Sequence, residues 1–490
     1  MRSLGPGAGR RGLAVLLAVA VAAAAACSGG GDEGGGTRSR RSPATATTTT
    51  TEAAAPAAPA AEAPPEHPLG AKWNWFQYRN TPGFQAGVER LAGGSTFLEV
   101  VWCWTDREGW SLYDDQVGQA AALGFELMIK LRTGTCGLTG GADDGSPLDD
   151  PSSLPADPAA YDAWVTEAVG RYAARGVHLW AIENEVDARN AWSPAPADYE
   201  PFARRVAGVI QAADPEAVIY DSGLSGTVYG VSLAADRLAE GDTAGATSLY
   251  EGAYERGDQG TRRFPPGGDA ATVEAAAEGD TGRRVREALD VSLRLAQDGV
   301  VDRWQLHWYE PVAVLPEALG DLRARLPAGF PIEAWEAGVF WPGDGYDRAT
   351  HAGETVRLVA ELLAAGVERV VYLPVFYTLG GSQPRELWRG LYEPTGETRP
   401  AATAYEAMVA LTTGAAAFEP LPGGGLGIDR EDGSAVVLWD RSLPAPPPGA
   451  TAADAAGAPM AWTAGTTVGA APVVVRSPGD LADLRDALAL

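Results

Sequence analysis

Two runs of this chain pass abruptly from apolar to acidic. The first, His178-Leu179-Trp180-Ala181-Ile182, ends in Glu183-Asn184-Glu185, and the second, Pro331-Ile332-Glu333-Ala334-Trp335, ends in Glu336 and breaks at Gly338. A carboxylic acid can deliver a proton, and a carboxylate can accept one or attack carbon. Placed on either side of a glycosidic bond, such a pair supplies both needs of its cleavage: one acid protonates the leaving oxygen, and the other carboxylate acts from the opposite face of the sugar. Glu185 and Glu336 are therefore the candidate catalytic pair. Glu333, three residues before Glu336, is expected on the opposite face of its strand, and Glu99 and Glu310 near other strand ends are expected to be ion-pair partners. Glu183 would share the face of Glu185 in a regular strand, and the sequence does not separate the two.

Other chemistries find little support. There are four histidines (His67, His178, His307, His351) and no His-x-His or His-Glu-x-x-His spacing, so no metal is expected. No Gly-rich phosphate loop follows a predicted strand and no Gly-x-Ser-x-Gly elbow is present, so no cofactor is expected either. The net charge of -26 argues against nucleic acid, which demands a basic surface, and against attachment to an anionic bilayer through charge.

The elements that must hold the carboxylates alternate in type. Short apolar runs at Lys72–Phe76, Thr96–Trp102, Glu126–Leu131, His178–Asn184, Ala217–Asp221, Arg303–His307, Pro331–Glu336 and Val367–Leu373 read as eight strands. Amphipathic stretches lie between them, among them Ala159–Ala174, Pro201–Ala213, Thr281–Gln297 and Thr355–Ala365. This predicts an α/β fold, a (β/α)₈ TIM barrel over residues 69–415, whose active site sits at the C-terminal ends of the strands. A doubly wound sheet would carry a Gly-rich turn after its first strand, and Trp73–Asn80 has none. Two connections are long, Thr133–Asp157 and Leu224–Asp280; the second holds Tyr250, Tyr254, Arg262, Arg263 and Phe264, expected to wall a cleft. Strand patterns at Gly425–Arg430, Ala435–Trp439 and Val473–Arg476, the last two separated by the Gly/Pro/Ala-rich Leu443–Pro459, predict a small β-sandwich-like domain over 416–490, with a helix from about Asp480.

With this order in place the chain resembles the retaining glycoside hydrolases of clan A, a superfamily of (β/α)₈ enzymes. The likeness rests on Asn184-Glu185 ending strand four, His307-Trp308-Tyr309 on strand six and Glu336-Ala337-Gly338 ending strand seven. It implies Glu185 as acid/base and Glu336 as nucleophile, Asn184 bonding the hydroxyl beside the anomeric carbon, Tyr309 orienting Glu336 (or else a barrel-rim aromatic with its hydroxyl in water), and His307 either beside them or a satisfied buried histidine. The chain departs from the pattern in two places. Val186 stands where Pro is frequent, and the end of strand eight offers Tyr372, Phe376 and Tyr377 rather than a Trp. Arg132 is the candidate for the arginine that some families place near the nucleophile. Trp73, Trp75, Trp102, Trp104 and Trp110 cluster on strands one and two; Trp75 and Trp104 are candidate sugar platforms, with core packing as the alternative. The implied activity is double-displacement hydrolysis of an extracellular oligo- or polysaccharide by a monomer. A silent carbohydrate-binding barrel and a transglycosylase are the alternatives.

The N-terminus predicts export. Arg2, Arg10 and Arg11 precede the apolar Leu13–Ala26, and Cys27 follows directly, as in a bacterial lipoprotein signal over 1–26 whose cysteine takes the lipid anchor. The alternative is ordinary cleavage and free secretion. Residues 27–68 then form a Gly-, Thr- and Ala/Pro-rich tether at the cell surface. Cys103 and Cys136 remain, either as a disulfide between neighbouring strand ends or as two free thiols.

Overall fold

In the computed structural model the described residues are 65–73, 84–91, 93–141, 151–254, 264–265, 267–339, 347–373, 375, 390–393 and 395–490. The leader, Cys27, the tether as far as residue 64, Trp75, Arg262, Arg263, Phe376 and Tyr377 lie outside them.

The apolar runs form a parallel barrel. Strands β1 (Leu69–Ala71), β2 (Ser95–Val101), β3 (Glu126–Arg132), β4 (Leu179–Ile182), β5 (Val218–Tyr220), β6 (Trp304–Trp308), β7 (Ile332–Ala337) and β8 (Val370–Tyr372) pair in the orders β2-β3-β4-β5 and β1-β8-β7-β6. Bridges Tyr220↔Arg303 and Leu224↔Leu306 join β5 to β6. At the β1–β2 seam, Trp73 N donates to Thr96 Oγ1 at 3.2 Å and Lys72 Nζ to Phe97 O at 2.9 Å. Gly70 is required there, since a Cβ would meet Ser95 O at 2.0 Å. The ring closes in sequence order, and helices such as Pro158–Ala173, Pro196–Ala213 and Asp280–Gln297 follow its strands, which defines a (β/α)₈ barrel. The first strand lies earlier than Lys72–Phe76, because its pairing with β8 begins at Leu69↔Val370 and the backbone has left that ladder by Trp73.

The barrel interior is layered. Phe97, Met128, Ala181, Tyr220, Trp335 and Val371 make a buried apolar layer. Toward the strand N-termini, Glu333 accepts from Tyr220 OH (2.7 Å), Trp335 Nε1 (2.8 Å) and Arg303 Nη1 (3.1 Å), with Arg369 Nε at 3.4 Å. Toward the C-termini, Lys130 and then Arg132 follow Met128 at alternate positions of β3, with Lys130 opposite Glu99 and Arg132 one step further, opposite Val101.

Strand β7 does not keep the regular alternation. Leu306 opposes Ala334 but His307 opposes Glu336, and on the other side Ala334 and Ala337 oppose Val370 and Tyr372. One extra residue on β7 is a β-bulge, which re-aims the side chains beyond it. Glu333 and Glu336, expected on opposite faces, therefore both turn into the barrel.

The long segment after β5 is helical (Thr227–Glu240, Thr243–Tyr254, Ala270–Glu278). Tyr250, Tyr254 and Phe264, expected as cleft walls, instead pack on one another with ring centroids 4.8 and 5.3 Å apart and are buried. Beyond the helix Pro400–Thr412 lies an antiparallel sheet ordered β14-β13-β16-β11-β10-β9: β9 (Ala415–Pro420), β10 (Leu426–Arg430), β11 (Gly433–Leu438), β13 (Thr451–Asp454), β14 (Pro459–Met460) and β16 (Val473–Ser477). A ribbon of β12 (Arg441–Leu443) and β15 (Thr466–Val468) and the helix Leu481–Leu488 complete it. Alternate residues of β11 face different cores: Val437 joins the barrel's, whereas Val436 and Leu438 join Leu481, Leu484 and Leu488. The Gly/Pro/Ala-rich stretch Leu443–Pro459, in which no strand was expected, contributes β13, whose short Ala-rich segment pairs with β16 along Thr451↔Arg476 to Asp454↔Val473.

Candidate active site

Strand β4 ends at Ile182, and the next residues bend sharply. Glu183 has φ 66° and Glu185 φ 42°, the left-handed region that a residue with a Cβ rarely adopts. Each such residue costs about 1–3 kcal/mol and persists only where its surroundings dictate it. Here they do. Glu183 N donates to Leu131 O at 3.0 Å, and Glu185 N is shared between Ser222 O (3.1 Å) and Gly223 O (3.0 Å). Past the bend, buried Arg284 donates to four backbone carbonyls, of Val186 (2.9 Å), Asp187 (3.0 Å), Trp192 (2.7 Å) and Pro194 (2.8 Å).

The bend separates the two glutamates that the sequence left together. Glu183 is fully buried, and its Oε1 accepts from Thr133 N at 2.7 Å and Thr133 Oγ1 at 3.0 Å. Burial raises its carboxyl above the ordinary range, against the charge of Arg132 and hydrogen bonds from Ser152 and Thr133. The Glu185 side chain keeps 19% of its surface open, and its Oε1 lies 3.0 Å from His307 Nδ1.

Glu336 is gripped at both oxygens. Oε1 accepts from Lys130 Nζ at 2.6 Å and Oε2 from Tyr309 OH at 2.8 Å. Burial by itself would raise this carboxyl. The Lys130 ammonium and the hydrogen bonds from Lys130 and Tyr309 outweigh it and hold the group below the ordinary carboxylate range. The ring of His307 stands between the carboxylates, with Nε2 3.7 Å from Glu336 Oε1. One oxygen of Glu185, one oxygen of Glu336 and a nitrogen of His307 lie within 4.8 Å of one another. A cation could bridge such a trio, but the Lys130 ammonium already faces Glu336 Oε1 and, at 3.3 Å, His307 Nε2. The local positive charge is part of the chain.

Lys130 escaped the sequence reading. Its side chain is fully buried, and Nζ also donates to Asn184 Oδ1 at 2.7 Å. The signal was its phase: Lys130 lies two residues from Met128, among the apolar Leu127, Met128, Ile129 and Leu131, so it faces the barrel interior and needs a buried partner. Gly223 was also missed. Its φ is 65°, and a Cβ there would meet His307 Nε2 at 2.3 Å and Gln305 Cδ at 2.8 Å, so backbone packs directly on the imidazole.

Glu185, Asn184, His307, Tyr309 and Glu336 thus come together, and two other candidates go elsewhere. Arg132, expected near the nucleophile, bonds Glu99 at 2.7 Å and lies 3.9 Å from Glu183; the cation against Glu336 is Lys130. Trp104, expected as a platform, is 7% exposed in the helix Trp102–Glu108, with the Arg107 guanidinium 5.1 Å from its ring. Trp73, Trp102 and Trp110 also pack in or against the core. Cys103 and Cys136 form a disulfide with Cα atoms 5.9 Å apart, tying the helix after β2 to the loop after β3.

No family model and no curated protein matches the chain. Solved structures match at the level of fold. A family 39 glycoside hydrolase from the gut symbiont Bacteroides cellulosilyticus has 12% identity over 84% of this chain and 81% of its own, with a TM-score of 0.56. A glucosidase from Croceicoccus marinus gives 11% identity, coverage of 83% and 94%, and a TM-score of 0.52. A GH39 β-xylosidase from Caulobacter crescentus gives 13%, 85% and 97%, and 0.51. At these identities the likeness speaks to the fold alone.

Proposed function

We propose that this chain is a retaining glycoside hydrolase acting on an extracellular oligo- or polysaccharide. The observation that carries the reading is the convergence of Glu185, His307 and Glu336, with Glu336 held as a carboxylate between Lys130 and Tyr309. In the first step Glu336 attacks the anomeric carbon while the bond to the leaving oxygen breaks, and Glu185 gives that oxygen its proton. In the second step water attacks the same carbon, Glu185 takes its proton, and the glycosyl ester to Glu336 breaks. Oxygens within 4.8 Å suit the carboxyl separation of about 5–5.5 Å used for retention better than the roughly 6.5–9.5 Å that leaves room for water in inversion. The strained backbone at Glu183 and Glu185 is a second support, since such strain gathers at active sites.

We place the enzyme outside the cytoplasm, held to the membrane through Cys27 on the tether before the barrel. A panel of aryl glycosides and polysaccharides, with the anomer of the first product read by proton NMR, tests the catalytic reading. Release of the retained anomer is expected. An inverted first product, or turnover of the full panel undiminished by Glu185→Gln and Glu336→Gln, rejects it.

A further inference from the structure

The Lys130 ammonium occupies the centre of the site without facing the space a sugar would fill. It is fully buried, and its three hydrogens meet three acceptors on three different elements: Asn184 Oδ1 at 2.7 Å after β4, His307 Nε2 at 3.3 Å on β6 and Glu336 Oε1 at 2.6 Å on β7. An ammonium only donates, so each contact dictates what the partner must present.

We infer that Lys130 is a positioning residue that fixes the donor–acceptor polarity of the whole site. Its charge keeps Glu336 an acceptor. Its bond to Asn184 Oδ1 turns that amide so that the NH₂ group is left to donate outward. Its approach to His307 Nε2 requires a lone pair there, so the ring proton sits on Nδ1 and is donated to Glu185 Oε1, 3.0 Å away. Glu185 Oε2 is then the oxygen free to carry the proton that leaves for the glycosidic oxygen. This inference rests on the glycosidase reading for its catalytic meaning but not for its geometry.

One group opposes it. Gln305 Nε2 donates to Asp221 O at 2.8 Å, which leaves Gln305 Oε1 facing the same His307 Nε2 at 3.3 Å and favouring a proton on it. The ammonium prevails, because an N–H aimed at a buried cation is repelled whereas a lone pair is attracted. The other charged or titratable groups around these atoms are Asp221, a buried carboxyl that acts electrostatically on His307 and accepts from Gln305 N at 3.1 Å, Tyr309 on Glu336, and Lys72, which shares the Phe97 ring with Lys130 at 3.6 and 4.3 Å and lies beside Glu99.

Two measurements test the inference. The first uses the unaltered protein: ¹⁵N NMR of the imidazoles should show the neutral ring of His307 as the Nδ1–H tautomer, and the Nε2–H tautomer would overturn the inference. The second is the pH profile of kcat/KM in Lys130→Met. The acid limb, which reports the ionisation of Glu336, should rise by more than about one pH unit, while Lys130→Arg keeps the limb low. A purely structural role would reduce activity at every pH and leave the limb unmoved, which would overturn the inference. If the unaltered chain turns over no glycoside, the proposed function falls, and the tautomer still decides the role of Lys130.

Discussion

His307 stands between the two candidate carboxylates, its Nδ1 3.0 Å from Glu185 Oε1 and its Nε2 3.7 Å from Glu336 Oε1. The ring is fully buried and rests on the backbone of Gly223, so neither carboxylate can change its hydrogen bonding without the other sensing it through one imidazole. The site is a single connected network of Lys130, Asn184, Glu185, His307, Tyr309 and Glu336.

Packing at Gly223 gives a first prediction. Gly223→Ala places a methyl 2.3 Å from His307 Nε2 on a backbone with φ 65°. The ring must shift, so kcat/KM should fall about 100-fold, the order expected for a displacement of about 1 Å in a catalytic site. The melting transition should stay cooperative, and steady-state kinetics beside a thermal melt check both.

Glu183 and Glu185 should fail in different ways. Glu185→Gln removes a proton donor and should lower kcat/KM about 10²–10⁴-fold with little change in Tm. Glu183→Ala strips Thr133 N and Oγ1 of their buried acceptor and should lower stability by about 1–3 kcal/mol by urea denaturation.

Stability should depend on the charge of Glu336. Its carboxyl is depressed below the ordinary 4.5, so it contributes stability that is fully present above pH 4.5 and lost as the pH falls through the lowered value. The urea midpoint of the unaltered protein should therefore drop across that window. Glu336→Gln should lack this component of the drop.

Reduction of the Cys103–Cys136 disulfide opens a loop with a sequence separation of 33 residues. The chain-entropy relation puts the loss at about 3–4 kcal/mol, to be read as a lowered Tm in Cys103→Ser/Cys136→Ser.

Much of this arrangement was legible in the sequence, for a physical reason. A parallel strand buried on both faces is an apolar run, and a run that ends abruptly in polar residues marks the C-terminal rim where a barrel builds its site. That reasoning located β2 to β8 and the ends carrying Glu185, His307 and Glu336. It failed where local pattern does not decide. The β7 bulge inserts Trp335 as an extra residue between those that pair with β6, and no period-2 rule anticipates it. The division between Glu183 and Glu185 depends on two positive φ angles imposed by neighbouring strands. Arg132 and Lys130 are both inward on β3; which of them reaches Glu336 is set by depth in the barrel, a coordinate that sequence spacing does not supply. Of the two candidate platforms, Trp104 packs in the core and Trp75 lies outside the described residues; residue type alone does not choose between these roles, because large aromatic rings serve cores as readily as sugar faces.

The central claim is that Glu336 is the residue that becomes covalently attached to the sugar. Incubation with a 2-deoxy-2-fluoro glycoside bearing a good leaving group, followed by peptide mapping by mass spectrometry, tests it directly. The account predicts a glycosyl ester on the peptide carrying Glu336, formed as activity is lost. A label on another residue, together with full activity in Glu336→Ala, would contradict it.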